Sequence, residues 1–357
     1  MAICSEWKGV KMNNWKEFKL ADILPSVNNS KAYHKTNLKP IRVGIPYISR
    51  TNLDNGFEDA VVNKDFNSNP KNSIVFGAEN AMFFYQPFEY ITGNKMYYIK
   101  DKKLNRYTGL FITAILNTSI KNCGFGYGKG LTGTRMKNRS VVLPVDTKGN
   151  PDWAGMERYM REVESKLLKQ YKIYLGTLEN ARNPERESSK PIWQEFRLID
   201  IFTDIQRGKR LKTADHRRGL TPYISSTAMN NGVDGFVGNK EGVRIFKNCL
   251  SLANSGSVGS CFYEPFSFVA SDHITKLYNN KINKYSALFI SNVISRISEK
   301  YGFNREINDQ RIKKEVILLP ANDDGNPNYE YMESTMRRIE AKQLRNYVNY
   351  LETRLAA

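Results

Sequence analysis

Two Glu-x-Lys tripeptides come nearest, by residue type and spacing, to a nuclease site. They place Glu164 two residues before Lys166, and Glu340 two residues before Lys342. In a nuclease this pair lies on a strand, where residues two apart face the same way. Here both tripeptides lie within helical patterns, where the two side chains diverge by roughly 200° at 3.6 residues per turn. The spacing therefore predicts solvent-exposed charges and no nuclease site.

Two Asn-Pro dipeptides, Asn150-Pro151 and Asn326-Pro327, each begin a helical pattern. The tetrapeptides that they open resemble the Asn-Pro-Pro-Tyr element of amino-methyltransferases. That chemistry also needs a glycine-rich, acid-containing cofactor loop after a strand, and no such loop precedes either tetrapeptide. Asn suits a helix N-cap and Pro suits the first helical position. The dipeptides therefore predict two helix N-termini with Asn as the cap, and not a methyl-transfer site.

The glycine-rich stretch at residues 122–130 resembles a phosphate loop only in its glycine content. It lacks the Gly-Lys-Ser/Thr ending of a P-loop. Its aromatic and basic residues favour a loop near a DNA backbone, and a flexible surface turn is the alternative. The three histidines and four cysteines have no metal-ligand spacing. The sequence therefore predicts no catalytic residues and no metal site.

Residues 149–179 and 325–355 form the longest helical patterns in the chain. Apolar residues recur along both at steps of three and four, which predicts one buried stripe per helix. At about 1.5 Å per residue, each helix would be a rod of roughly 45 Å. We expect the two helices to pack on each other through apolar residues of these stripes. They are Met156, Met160, Val163, Leu167, Tyr174, Met332, Met336, Ile339, Tyr347 and Leu351.

The helices each follow one copy of a longer internal repeat, at an offset of 176 to 178 residues. The matched segments begin at Trp15 and Trp193, Ile45 and Thr221, Tyr85 and Tyr263, Leu110 and Leu288, and Leu143 and Leu319. A period of this length indicates two copies of one domain. The intervening stretches diverge, as residues 25–42 do from residues 203–220. One scaffold with different loops suggests one mode of binding applied to two targets, with drift without function as the alternative.

The repeat sets the expected domain boundaries. They are a leader at residues 1–14, domain 1 at 15–145, a first spacer helix at 146–182, a linker at 183–192, domain 2 at 193–321 and a second spacer helix at 322–357. Strands are predicted in domain 1 at residues 43–49, 73–76, 82–85, 95–100 and 141–144, with a helix at 107–120. In domain 2 they are predicted at residues 222–225, 251–254, 261–263 and 274–278, with a helix at 285–300.

The chain carries a formal net charge of +18 and has a pI near 9.6. Such an excess usually indicates an acidic partner, most commonly nucleic acid, although a generally basic proteome would also produce it. The sequence has no run of eighteen apolar residues, so no membrane span is predicted. Its N-terminus has no apolar region, so no secretion signal is predicted. The cysteines form no CxxC pair. We expect a reduced, cytoplasmic protein.

Basic and amide side chains on the divergent loops are the candidates for base reading, because Arg reads G and Asn or Gln reads A in the major groove. For any single one of them, a solvated side chain or a phosphate contact is a better explanation than base reading. The DNA-binding candidates are Lys31, His34, Lys35, Arg42, Arg50, Asn52, Lys129, Arg135, Lys137, Arg207, Lys209, Arg210, His216, Arg217, Arg218, Arg305, Arg311 and Lys313.

The ordered, duplicated motifs resemble those of the specificity (S) subunits of Type I and Type IIB-like restriction–modification systems. They are a Trp-x-x-Phe-x-Leu-x-Asp-Ile opening, a Pro-Tyr-Ile-Ser segment before Asn-Gly, and a Leu-Pro exit into a long helix. The resemblance covers nearly the whole chain from Trp15 to Leu355. It implies an α+β fold of two pseudo-symmetric target-recognition domains, separated and followed by long helices that pack as an antiparallel coiled-coil pair.

The same resemblance implies a non-catalytic subunit in which each domain reads one half of a bipartite DNA site. The helices would set the half-site spacing and dock methyltransferase subunits, and through them a nuclease or translocase. No cofactor is expected in this chain, since AdoMet and Mg²⁺ would act in the partner subunits. The choice between Type I and Type IIB stays open. The alternatives are a DNA-modifying enzyme that acts alone and a protein-interaction scaffold.

Overall fold

The computed structural model describes residues 14–62, 66–121, 123–180, 191–302 and 305–356. Most of the expected leader and linker lies outside the described residues. Contacts divide the chain into two compact units, unit 1 (Met1–Lys169) and unit 2 (Gln170–Ala357). Both units contain helices and sheets, which confirms the predicted α+β class.

Unit 1 begins and ends its domain with one antiparallel strand pair. Its strands are β1 (Trp15–Lys19), β2 (Val27–Asn29), β3 (Pro40–Ile48), β4 (Phe57–Val61), β5 (Ser73–Gly77), β6 (Phe83–Gln86), β7 (Ile91–Thr92), β8 (Met96–Ile99) and β9 (Ser140–Pro144). Its helices are α1 (Leu20–Ile23), α2 (Arg106–Ser119), α3 (Gly133–Lys137) and the first part of α4 (Trp153–Asn180). The sheets have the orders β2-β8-β5-β6, β4-β3-β7 and β1-β9.

Unit 2 repeats this plan after the end of α4. Its strands are β10 (Ile192–Arg197), β11 (Asp204–Arg207), β12 (Thr221–Ile224), β13 (Val233–Val237), β14 (Ile245–Phe246), β15 (Cys249–Ala253), β16 (Cys261–Glu264), β17 (Phe268–Ala270), β18 (Ile274–Tyr278) and β19 (Val316–Ala321). Its helices are α5 (Leu198–Ile201), α6 (Lys284–Ser295), α7 (Asp309–Lys314) and α8 (Tyr329–Ala356). The sheets have the orders β11-β18-β15-β16, β13-β12-β17-β14 and β10-β19.

The cores explain why the repeat is read so clearly in the sequence. In unit 1 the helix α2 lies in the main core cluster with Phe76, Phe111 and Leu143, all fully buried. Asn105 caps α2 with a capping box, in which its side chain accepts from the Thr108 N–H at 3.0 Å. Phe111 and Leu143 lie in matched segments of the repeat, because a shared scaffold needs the same core. The predicted strands and helices all exist, with ends shifted by a few residues.

The predicted caps of the two long helices are wrong by two residues. The helix α4 begins at Trp153, and the Asp152 carboxylate accepts from the Gly155 N–H at 2.8 Å. In α8 the Asn328 side chain accepts from the Tyr331 N–H at 2.9 Å. The Asn-Pro dipeptides instead belong to a tight turn before each helix. The cap is therefore the third residue of each tetrapeptide, and the Pro precedes it.

The helix α4 is docked on α2 by charged and aromatic contacts within unit 1. Arg161 donates to the Glu157 carboxylate at 2.8 Å and lies over the Tyr107 ring, with its Cζ 4.2 Å from the ring centroid. Glu157 also accepts from the Asn105 side chain at 2.7 Å. The Asn105 side chain therefore joins the cap of α2 to the neighbouring helix.

Unit 2 uses the same docking contacts at the equivalent positions. Arg337 pairs with Glu333 at 2.7 Å and lies 4.1 Å from the Tyr285 ring centroid. Asn283 caps α6 and donates to Glu333. Docking of a long helix on its own domain is therefore duplicated in full.

The prediction that Glu164 and Glu340 are solvent-exposed charges is wrong. Glu164 pairs with Arg106 at 2.7 Å, and its side chain is only 13% exposed. Glu340 pairs with Lys284 at 3.4 Å and accepts from the Tyr174 hydroxyl at 3.0 Å. Both carboxylates therefore serve helix docking, which accounts for their repetition without a nuclease site.

Within unit 2 the last turns of α4 pack against α8. Leu175 and Leu178 form a buried cluster with Ala341, beside Met336 and Leu344. The equivalent tyrosines of the two helices, Tyr171 and Tyr347, meet edge to face with centroids 5.6 Å apart. Leu351 is buried as well, so this part of the predicted helix packing is present.

Other residues of the predicted packing stripe lie elsewhere. Met156 and Met332 are fully buried in the main cores of unit 1 and unit 2, and Met160 packs against the core of unit 1. They dock each helix on its own domain, because the first turns of each helix cover that domain's core. Leu167 and Ile339 are largely exposed, and Val163 is half-buried.

Candidate nucleic-acid interface

A four-residue turn carries the basic end of the glycine-rich loop in unit 1. The Lys129 N–H donates to the Gly126 carbonyl at 3.1 Å, and the Gly126 N–H donates back at 3.3 Å. The Lys129 ammonium lies 5.7 Å from the centroid of the Phe125 ring. The loop is therefore a closed turn that presents an exposed cation supported by an aromatic ring.

In unit 2 the equivalent residues, Gly302 and Arg305, form the same pair of backbone hydrogen bonds. The Arg305 N–H donates to the Gly302 carbonyl at 2.9 Å, and the Gly302 N–H donates back at 3.3 Å. The Arg305 guanidinium lies 5.3 Å from the Tyr301 ring centroid. Each turn therefore ends in a cation held over an aromatic ring, at positions equivalent in the repeat.

The short helices α3 and α7 follow these turns and carry more duplicated cations. The Arg135 guanidinium donates to the Gly130 carbonyl at 2.6 Å, and the Arg311 guanidinium donates to the Glu306 carbonyl at 2.6 Å. Each bond joins the helix to the residue that follows the basic turn. The lysines two residues further on are also exposed: Lys137 and Lys313. We call the turn and the short helix together the basic element of each unit.

The support beneath the two basic elements differs in charge. In unit 1 Arg139 lies 5.6 Å from the Phe125 ring and donates to the Ser119 carbonyl at 2.6 Å. In unit 2 the equivalent residue is Glu315, which accepts from the Tyr301 hydroxyl at 2.6 Å. Burial and this hydrogen bond to Glu315 raise the pKa of Tyr301 to about 12. The support has diverged while the exposed cations have kept their charge.

Beside the basic element of unit 1, two cations converge on one carboxylate. Arg50 and Lys95 both pair with Glu79, and the Lys95 ammonium is 2.6 Å from Glu79 Oε1. Lys95 also lies 5.4 Å from the ring centroid of Tyr127, a residue of the basic turn that is 90% exposed. We call Arg50, Glu79, Lys95 and Tyr127 the Glu79 cluster.

An amide pair extends the Glu79 cluster. The Asn80 amide nitrogen donates to Asn52 Oδ1 at 2.9 Å. The Ala78 carbonyl, next to Glu79, accepts at 2.6 Å from the N–H of Leu131, two residues after the basic turn. The loop that contains Arg50 and Asn52, the turn at residues 78–81 and the basic element are thus held side by side.

The equivalent place in unit 2 has different chemistry. His273 Nδ1 lies 2.5 Å from the Ser255 hydroxyl, and His273 Nε2 lies 4.0 Å from the Asp272 carboxylate. Ser226 occupies the place of Arg50, because each follows the repeated Pro-Tyr-Ile-Ser segment of its unit. The Ser226 carbonyl accepts from the Ser257 N–H at 3.0 Å. We call Ser226, Ser255, Asp272 and His273 the Ser255 cluster.

Most of the other predicted DNA-binding residues are exposed at the surface of their own unit. This group comprises Lys31, His34, Lys35, Arg42, Lys209, Arg210, Arg217 and Arg218. Lys35 is paired with Glu58 at 2.8 Å, and this hydrogen bond raises the pKa of Lys35. Lys31 lies 5.4 Å from the Tyr33 ring centroid. The structure keeps these residues available but does not gather them into one described cluster.

Two predicted residues are half-buried and bonded within unit 2. Arg207 Nε donates to the Asp272 carbonyl at 2.5 Å, and the Arg207 carbonyl accepts from Arg244 at 2.5 Å. The His216 ring packs edge to face on Tyr223 at 4.8 Å. Their local role is to hold the loop before β12 in place.

Sequence reasoning missed Glu79, Asn80, Lys95 and Ser255, and it considered His273 only as a metal ligand. Lys95 and His273 are equivalent in the repeat, so comparing the two copies position by position would have found them. The contacts themselves join segments far apart in sequence, which no local pattern shows.

The described residues were also compared with the requirements of a metal site and of a membrane-spanning helix. Among the described residues, no group of three or more His, Cys, Asp and Glu is placed to hold a metal ion. No helix in those residues is long and apolar enough to cross a membrane. Cys249 and Cys261 are buried free thiols, and burial raises the pKa of Cys249 to about 12.

Comparison with known proteins decides the family. The model of the Type I restriction modification DNA specificity domain matches the chain twice, at residues 12–172 and 192–350. The chain belongs to this specificity family. The two matches correspond to the two copies of the repeat, and specificity subunits are the non-catalytic members of restriction–modification systems.

One relative and two solved structures are similar to this chain. The "Type II restriction enzyme BgcI specificity subunit S.BcgI" of Heyndrickxia coagulans is 32% identical over 346 residues, which cover 93% of this chain and 97% of that protein. The Type I S subunit from M. genitalium matches with 14% identity and a TM-score of 0.47, over 95% of this chain and 93% of its own. The HsdS subunit from Thermoanaerobacter tengcongensis matches with 12% identity and a TM-score of 0.32, over 96% and 91%. The Type II specificity subunit is thus similar to this chain along nearly the full length of both.

Proposed function

We propose that this specificity subunit binds double-stranded DNA through both units, each of which reads one half of a bipartite site. The duplicated basic elements carry this proposal. Exposed lysine and arginine side chains are the usual partners of phosphate oxygens, and phosphate contacts supply most of the non-specific affinity of a DNA-binding protein. The net charge of +18 supports the same partner.

Chemistry on the DNA belongs to partner subunits in this proposal. The partners are methyltransferase subunits, accompanied by or fused to a nuclease or translocase, and they bind AdoMet and Mg²⁺. The two long helices dock these partners and set the half-site spacing. The complex works in the cytoplasm, where its DNA substrate lies. The family supports this division of roles between subunits. The carboxylates of the repeated Glu-x-Lys tripeptides support it as well, because they serve helix docking and not a nuclease site.

Binding across a salt series tests the proposal. The chain, co-purified with its methyltransferase subunit, is titrated with duplex DNA at several salt concentrations. Substituting Lys129, Arg135, Arg305 and Arg311 by Ala together should weaken binding and flatten the salt dependence by roughly one unit of slope per lost phosphate contact. The control is the double variant of Lys148→Ala, in the turn before α4, and Lys342→Ala, on α8, and it is compared with the double variant of Lys129→Ala and Arg305→Ala, which removes the same two charges.

Two results would contradict the proposal. Salt-independent binding, or an equal loss in the control variant, would mean that the basic elements do not contact phosphates. Modification of DNA by the purified chain alone, supplied with Mg²⁺ and AdoMet, would show that the chain is itself an enzyme.

A further inference from the structure

Backbone hydrogen bonds identify which positions of the two clusters are equivalent. In unit 1 the Ala78 N–H donates to the Lys95 carbonyl at 3.0 Å. In unit 2 the Asn254 N–H donates to the His273 carbonyl at 2.8 Å. The Glu79 cluster and the Ser255 cluster therefore occupy the same place in their units, beside the basic element.

Side-chain chemistry divides the equivalent positions into two classes. Positions in the basic elements keep a cation in both units, as Lys129 and Arg305 do. Positions in the clusters change, because His273 of unit 2 is equivalent to Lys95 of unit 1 and Ser226 is equivalent to Arg50. A site with two different half-sites offers the same phosphate backbone to both units but different base edges. Constant cations suit the backbone, and changed hydrogen-bonding groups suit the bases.

The groups of the Glu79 cluster match the chemistry of base edges. Arg and Lys donate to the acceptors of guanine, and an Asn amide pairs with adenine. Glu79 binds both Arg50 and Lys95 at once, which fixes the two cations next to each other. The bond from Asn80 likewise fixes the Asn52 amide. Such fixed groups lose less conformational entropy when they bind a ligand.

The Ser255 cluster presents a smaller and less charged surface. The bond between Ser255 and His273 Nδ1 leaves Nε2 as the ring atom that remains for an outside partner. The residue is partly exposed, with 48% of the His273 side chain accessible. A different base pattern is therefore expected in the half-site of unit 2.

The Glu79 cluster lies so close to the backbone of unit 1 that one position beside it has no room for a side chain. A Cβ atom at Gly77 would lie 2.8 Å from Arg50 Cγ and 2.3 Å from Asn80 Oδ1. Both distances are too short for a carbon contact, so Arg50 and Asn80 need glycine there. The equivalent residue at the end of β15 is Ala253, in the unit where Ser226 replaces Arg50. The position of Gly77 and the position of Arg50 thus both differ between the two units.

We propose that Lys95 with Arg50 and Asn52 in unit 1, and His273 with Ser255 in unit 2, read bases, while the duplicated basic elements contact phosphates. This inference rests on the proposed function and assigns one specificity-determining cluster to each half-site. Its consequence is that changes in one cluster alter one half-site and leave the other as an internal control.

Single substitutions in the complex with the methyltransferase subunit test the assignment. Long-read methylation mapping of the wild type first defines the site. Competition binding then uses duplexes with each single base-pair change in either half-site. Lys95→Ala should reduce discrimination roughly tenfold or more at one position of one half-site, and His273→Ala should do so in the other half-site. Lys129→Ala should weaken binding to all duplexes about equally.

A second pair of variants distinguishes a loss of base reading from a loss of folding. Lys95→His introduces the residue of unit 2, and Gly77→Ala displaces Arg50 without removing any cluster side chain. Both should change discrimination in the same half-site as Lys95→Ala, and retained discrimination in the other half-site would show that the complex is folded. Unchanged discrimination in all these variants, or a uniform loss like that of Lys129→Ala, overturns the inference. Failure of the wild-type complex to bind DNA would instead refute the proposed function.

Discussion

Glu264 and Gln86 occupy equivalent ends of strands β16 and β6, and both side chains are buried. Gln86 Nε2 donates to the Asn55 carbonyl at 3.0 Å. Glu264 Oε1 accepts from the Ser251 hydroxyl at 2.9 Å, whereas its buried Oε2 has no hydrogen-bond partner among the described residues. Burial raises the pKa of Glu264 from 4.5 to about 7. A protonated Glu264 would offer a donor where Gln86 has its amide nitrogen.

The stability of unit 2 should therefore fall with rising pH. Because the folded-state pKa of Glu264 lies above the unfolded value, its contribution is complete below about pH 4.5 and is lost as pH rises through about 7. The full pKa shift corresponds to a decrease of about 3 kcal/mol in the free energy of unfolding between low and high pH. Glu264→Gln should remove this dependence and stabilise the chain at pH 8, as urea unfolding at pH 5 and pH 8 would measure.

The reciprocal variant Gln86→Glu is the matched control. It should introduce a similar loss of stability in unit 1 between pH 5 and pH 8, because the site is equally buried. If Glu264→Gln left the pH dependence of unfolding unchanged, burial of this carboxyl group would not be its cause.

At the scale of elements, each long helix is attached to its domain by one repeated set of contacts. The set combines a buried methionine, a capping Asn, a carboxylate and an arginine over a tyrosine ring. Arg161 is representative, since it contacts both Glu157 and Tyr107. Its hydrogen bond holds the pKa of Glu157 below its usual value. Orientation of the domain on the helix thus depends on few side chains.

Loss of the Arg161 contacts should loosen α4 from α2. Arg161→Ala should lower the free energy of unfolding of unit 1 by about 1–2 kcal/mol, since both a cation–π contact and an ion pair are removed. Arg161→Lys should recover only part of this, because an ammonium group cannot stack as a planar guanidinium does. Urea unfolding followed by far-UV circular dichroism measures the change.

The exposed neighbour Arg158 provides the comparison for this helix prediction. Arg158→Ala removes the same charge from the same helix but none of the described docking contacts. Equal destabilisation by Arg158→Ala and Arg161→Ala would show that helix charge, and not the contact with Tyr107, is responsible.

At the scale of the whole molecule, the chain has two repeated units with unlike clusters, and the described residues include no metal site. If the long helices set the half-site spacing, changing their length must change the DNA spacer. Seven residues add about 10 Å to a helix, which corresponds to about three base pairs. They also nearly preserve the apolar stripe, because seven residues are close to two full turns.

We therefore expect that inserting seven residues between Lys169 and Gln170, with the apolar pattern continued, lengthens the spacer by up to about three base pairs. The bases of both half-sites should stay the same, since neither cluster is touched. Long-read methylation mapping in cells that carry the variant with its methyltransferase measures both quantities. Altered half-site bases with an unchanged spacer would contradict this role of the helices.

The sequence by itself determined the duplication, the α+β class, the long helices and the basic character of the chain. These follow from local signals: core residues such as Phe111 repeat because both scaffolds need them, and apolar periodicity marks a helix wherever it folds. The family could be inferred for the same reason, because its motifs are scaffold motifs. Errors arose where one short signal had several structural solutions, as at the Asn-Pro turns.

Only the tertiary structure decided what the charged side chains do. Glu164 reads as a surface charge until α2 is brought beside α4, and Lys95 has no distinguishing neighbour in sequence until Glu79 and Tyr127 are placed around it. The sequence places Lys129 and Arg305 at equivalent positions, but only the fold showed that both make the same turn hydrogen bonds and lie over an aromatic ring. Long-range contacts set the roles of polar residues, because the interaction energy of a charged side chain depends on the groups that tertiary packing brings near it.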